Sequence, residues 1–169
     1  MTETEIEKTR NTHRDLTYLA WIVVGVLVLN VAYFVGGEIG GIWYESRDDL
    51  IELNKGLWVG LIKAMPTILI AWAVADFAFL FQRCSEGDVL TSENVKTLNQ
   101  AGYGLVAAGI WAGVASPTLL GWIGDDFRGV SMDFGDLSLA VTMMGVMLHG
   151  LSLVFKDAVA VKAENDEFV

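Results

Sequence analysis

Four long stretches of this sequence carry almost no charge, and their length decides what the chain can become. Leu16 to Gly36 is uncharged, with Asn30 its most polar member. Leu57 to Gln82 holds only Lys63 and Asp76. Ala101 to Ile123 is uncharged, and Leu137 to Phe155 is uncharged apart from His149. An α-helix rises about 1.5 Å per residue, so about 20 residues cross the ~30 Å hydrocarbon layer of a bilayer. All four blocks reach that length. A soluble core can hide one such helix, but four in 169 residues leave too little polar surface to cover them. Hydrophobic residues make up 53% of the chain and charged ones only 19%, and the apolar residues come in blocks rather than at amphipathic spacing.

The expected fold is all-α: a polytopic membrane protein built as a bundle of four transmembrane helices. Residues 1–15 form a cytosolic N-terminal segment, and 16–156 the transmembrane domain, with helices at about 16–36, 57–82, 92–123 and 137–160. Residues 157–169 form a cytosolic tail. The first block is too long for the apolar core of a cleaved signal, and the residues before it mix Glu and Lys freely. Cys84 is the single cysteine, which excludes an internal disulfide and a zinc cluster. A formal net charge of −10 argues against direct nucleic-acid binding. No metal site and no cofactor are expected. A lone His149 beside Met143, Met144 and Met147 is a poor haem site, because a six-coordinate carrier needs a second axial ligand. No nucleophile elbow, phosphate loop or paired intramembrane carboxylates occur, and "GGEIGG" lacks a following Lys-Ser/Thr, so no enzyme is expected.

Orientation follows Lys and Arg rather than net charge. With the N-terminus inside, Lys8, Arg10, Arg14, Arg83, Lys96, Lys156 and Lys162 are cytosolic, against Arg47, Lys55 and Arg128 outside. Both termini are therefore expected in the cytosol. The outer loops are acidic (Glu38, Glu45, Asp48, Asp49, Glu52; Asp125, Asp126, Asp133, Asp136), and Trp43, Tyr44, Trp58 and Trp122 fit an outer aromatic belt. The stretch between the second and third blocks then faces the cytosol. Gly87 and Asp88 mark a turn, and Thr91 is placed to cap a helix starting near Ser92 by accepting the amide of Glu93 or Asn94. Glu93 suits the positive end of that helix.

Charges in hydrocarbon are functional candidates by default. Counting from block edges places Asp76 and His149 in an inner polar layer, with Tyr18 and Tyr103 nearby, and Lys63, Asn30 and Ser116 in an outer one. Two readings stand side by side. In one, Asp76 and His149 relay protons or cations with Lys63 as gate. In the other, an Asp76–His149 hydrogen bond fixes packing while Lys63 snorkels outward. Pro66 and Pro117 free the carbonyls of Ile62 and Gly113, which neighbouring helices, hydroxyls or water must satisfy, and the bends can shape a small outward cavity. Gly109 and Gly113 form a GxxxG pair that permits close approach, within the bundle or between copies in a homo-oligomer.

Two motifs carry a family resemblance. Gly87, Ser92, Glu93, Asn94 and Leu98, followed at the C-terminus by Glu164, Asn165, Asp166 and Val169, resemble the loop and tail of the small four-helix bacterial membrane proteins grouped as the DUF2975 domain of unknown function. Leu90, Ala163 and Glu167-Phe168 depart from that pattern. The resemblance implies a multi-pass protein of the bacterial inner membrane, and a regulatory or accessory module holding a cytosolic helix-turn-helix regulator or a larger membrane complex. Its docking surface would comprise Glu86, Glu93, Asn94, Glu164, Asn165 and Asp166, although solvated helix ends are the plainer account of the same charges. The alternative function is a small transporter or proton-coupled sensor using Asp76, His149 and Lys63.

Overall fold

The computed structural model describes residues 3–45, 50–87, 89–124 and 129–167. Asp48, Asp49, Asp88, Asp125, Asp126 and Arg128 of the expected loops lie outside the described residues, as do the side chains of Glu38, Glu45 and Asp166 and all of Val169. The chain forms α1 (Glu3–Glu45), α2 (Leu50–Glu86), α3 (Ser92–Ile110), a π turn (Trp111–Ala115), α4 (Ser116–Ile123) and α5 (Asp136–Glu167). Taking α3 through α4 as one rod, four helical stretches are long and apolar enough to cross a membrane: Asn11–Gly41, Leu50–Glu86, Ser92–Ile123 and Asp136–Asn165. The protein is a multi-pass membrane protein.

Every helix outruns its apolar block. The segment at 1–15 is helical from Glu3, and the tail expected after residue 156 is helical through Glu167. Polar residues with good helix propensity continue a helix that hydrocarbon has already nucleated, because propagation is far cheaper than initiation. The helices alternate in direction. One end of the molecule therefore carries both termini and the α2–α3 connection, and the other carries the start of α2 and the approach to α5. These are called below the termini end and the far end.

The backbones pack in chain order: α1 on α2, α2 on α3, α3 on α5, with no backbone approach of α1 to α3 or α5 among the described residues. Small residues set the separations. Gly104 lies on Ala73, which is buried with Ala101 and Leu105 in a central core. Between α3 and α5 the approach is closer. A Cβ on Gly145 would stand 2.6 Å from the carbonyl oxygen of Gly102 and 2.7 Å from the amide of Val106, so only glycine fits. Ser138, Gly145 and Ser152, each seven residues from the next, are all buried. Gly102 and Gly109 repeat the same interval on α3, which is the seam spacing of helices crossing at a shallow angle. Outward, Leu19, Ile22, Val26, Leu29, Leu139, Met143 and Met147 are exposed, as side chains facing lipid are. Trp43, Tyr44, Trp58 and Trp122 are exposed at the far end, where the aromatic belt is expected.

Candidate functional site

Polar chemistry gathers in three places. The first is the α2–α3 connection. Gly87 turns the chain at φ 104°, a left-handed conformation that glycine adopts freely. The Thr91 hydroxyl accepts the Asn94 amide at 3.2 Å and starts α3 at Ser92, as the sequence predicts. The Asn94 side chain turns inward: it is 5% exposed and its Nδ2 donates to the Val89 carbonyl at 3.2 Å. Asn94 therefore folds the loop instead of presenting itself on the surface, because the Val89 carbonyl lacks a helical partner. Arg83 reaches over from α2, donating to the Thr97 hydroxyl at 3.2 Å and lying 3.7 Å from the Glu93 carboxylate. Thr97 in turn donates to the Glu93 carbonyl at 3.0 Å. Glu86, Glu93, Glu164 and Asn165 are exposed, so the described acidic members of the expected docking set remain on the outside.

The second place is between α3 and α5. His149 Nδ1 lies 2.6 Å from Asn99 Oδ1, and the Ser152 hydroxyl is 3.3 Å from the same oxygen and 2.7 Å from the His149 carbonyl. A carbonyl oxygen accepts, so with Asn99 so oriented His149 carries its hydrogen on Nδ1. Tyr103 lies beside the ring, centroids 5.0 Å apart. The expected Asp76–His149 bond is not formed. Counting from block edges does place the two residues at one depth: Ala73, one turn from Asp76, meets Gly104, while His149 meets Gly102. These contacts face different sides of α3, however. At about 100° per residue, positions 102 and 104 point some 160° apart. Asn99 takes the place given to Asp76. Its polarity three residues before Gly102, on the turn facing His149, is the signal that would have found it. Lys63 and Asn30 are exposed on α2 and α1, toward the far end. Ser116 is half-buried at the start of α4. The structure does not bring Asp76, His149 and Lys63 together.

The third place is around the two prolines, and here the sequence identifies the acceptors and the structure supplies the donors. Pro66 sits inside a continuous α2 and gives no amide to Ile62; the Trp111 indole Nε1 donates to that carbonyl at 3.1 Å. Pro117 likewise gives none to Gly113; the Asp133 backbone amide donates there at 2.7 Å. The register shift of the π turn, in which the Ser116 amide bonds back to Trp111, lies immediately before Pro117. The segment at 129–135, which carries no helix, is thereby laid along the π turn and α4. Thr118, 9% exposed, holds it at a second point, donating to the Ser131 carbonyl at 2.9 Å and accepting the Ser131 amide at 3.1 Å. The Phe134 ring covers Gly113, and Ser138 and Thr142 cover Gly109. The close approach offered by Gly109 and Gly113 is thus taken up within the chain. A cavity of about 270 Å³, bordered by Pro66, Gly109, Asp133 and Ser138, opens beside them.

Among the described residues no group of three or more His, Cys, Asp or Glu side chains could hold a metal ion. A family model described as a protein of unknown function (DUF2975) matches residues 5–169. No curated protein and no solved structure matches the chain.

Proposed function

The chain belongs to the DUF2975 family, whose function is not known, and from that premise we propose that it is a non-enzymatic membrane module that docks a basic cytosolic protein on its termini end. The observation that carries the reading is the α2–α3 connection. Side-chain hydrogen bonds of Arg83, Thr91, Asn94 and Thr97 tie the flanks of this short connection together, and Glu86 and Glu93 stand exposed beside them. On a neighbouring helix, α5 carries Glu164 on an exposed extension beyond the apolar block. A preorganised acidic face loses little freedom on binding, and it steers a basic partner such as a DNA-reading helix-turn-helix domain. The Lys and Arg bias supports a cytosolic setting for this end in a bacterial inner membrane. The relay reading draws no comparable support, since its three residues stand apart.

Photo-crosslinking residues placed at 86 and 164, in native membranes, test the proposal. The expected result is a discrete adduct with one basic soluble protein at both sites, lost at one site when the other is reversed by Glu86→Lys or Glu164→Lys. Glu93 is left intact because it pairs with Arg83. Adducts that ignore charge reversal, or none at either position, would overturn it.

A further inference from the structure

A cavity of about 350 Å³ lies between the first two turns of α3 and the stretch of α5 from His149 to Val159. Ser92, Lys96 and Asn99 line it from α3, and His149, Ser152 and Lys156 from α5. Spacings of three, four and seven residues put each trio on one helical face. The chain holds 21 acidic and 11 basic residues, yet this wall contains two lysines and no carboxylate. The sign of the cavity is thus opposite to that of the protein. Its remaining wall is apolar, formed by Val95, Leu153 and Val159, and Leu153 also faces outward where lipid would lie. The Asn99–His149–Ser152 network described above fixes the floor.

We propose that this cavity binds an anionic phosphate group at the membrane boundary, with the Lys96 and Lys156 ammonium groups on the phosphate oxygens and the Ser92 hydroxyl as a further donor. Basic pockets between transmembrane helices at the headgroup level are suited to anionic lipids. The start of α3 at Ser92 adds the positive end of a helix dipole to the same space. A phospholipid headgroup and a free phosphate share this chemistry. The apolar wall gives a lipid glycerol and acyl chain somewhere to lie.

The test uses the full chain in neutral detergent, titrated with phosphatidylglycerol, phosphatidylcholine or inorganic phosphate, and read by native mass spectrometry. Lys96→Gln/Lys156→Gln is expected to weaken phosphatidylglycerol binding roughly thirtyfold, at the strength typical of two membrane-surface lysines. Lys162→Gln, outside the cavity, is expected to leave it unchanged. Circular dichroism confirms that the double variant keeps its helices. Phosphatidylglycerol retained over phosphatidylcholine identifies a lipid site. Inorganic phosphate bound with the same lysine dependence, and no lipid preference, identifies a soluble phosphate instead. Binding of every probe that is indifferent to the two lysines overturns the proposal. The crosslinks at 86 and 164 report on the docking face separately, so failure of either reading leaves the other standing.

Discussion

Trp111 and Ile62 are 49 residues apart in the chain and meet through one hydrogen bond, which shows how a single residue choice is answered from elsewhere. Ile62 is 7% exposed, and a carbonyl buried away from water costs free energy if left without a donor. Trp111→Phe keeps an aromatic ring but removes the indole's five-membered ring with its N–H. It is expected to lower stability by about 1 kcal/mol, as for other hydrogen bonds between membrane helices, measured by unfolding in mixed micelles. In a Pro66→Ala background residue 66 regains an amide that can bond Ile62 within α2. There the same change is expected to cost clearly less, and equal costs in the two backgrounds would show that the indole bond contributes nothing. Both acceptors were legible in the sequence, since a proline names the carbonyl it abandons. The donors were not, because an indole and a loop amide become neighbours only when helices pack. Asn94 teaches the converse. An Asn in a short polar connection reads equally well as a contact residue or as a loop fastener, and burial alone separates the two.

Among the elements, the α3–α5 seam is the most tightly fitted. Gly145→Ala would push a methyl group into the backbone of Gly102 and Val106. The helices must separate, so a loss of roughly 1–3 kcal/mol is expected, the range for overpacking. Gly25→Ala on α1 meets nothing within 4 Å and is expected to change stability by no more than about 0.5 kcal/mol. Thermal melting of the two variants in one detergent separates a seam glycine from an incidental one. The small-residue repeat was only partly visible in sequence. GxxxG drew attention to Gly109 and Gly113, whereas the pairing of Gly102 with Gly145 depends on the register between two helices. Pro117→Ala acts at the same scale. A new amide at 117 would compete with Asp133 for the Gly113 carbonyl, so hydrogen exchange at the Asp133 amide is expected to quicken by about tenfold, the equivalent of one modest hydrogen bond. Unchanged exchange would mean that Thr118 alone holds the segment.

For the whole molecule, the four apolar lengths settle how many times the chain crosses the membrane, and the lysine and arginine bias predicts which end faces the cytosol. Cys84 is the single cysteine, so a Cys84→Ser background allows one reporter at a time. A cysteine replacing Glu164 is expected to react with a membrane-impermeant reagent only from the cytosolic side, and one replacing Asn54 only from outside. The reverse pattern would invert the proposed docking face. Hydrophobic length, loop charge, proline positions and the Thr91 cap are local properties, and for that reason the sequence alone determined a four-pass helical membrane protein with a capped α2–α3 turn and two carbonyls in need of donors. Which polar residue meets which depends on rotation and register between helices that are apolar on most sides. Hydrocarbon exerts no directional pull to fix these, so only the tertiary packing of glycines, serines and one tryptophan joined His149 to Asn99 rather than to Asp76 and gathered two lysines around one cavity.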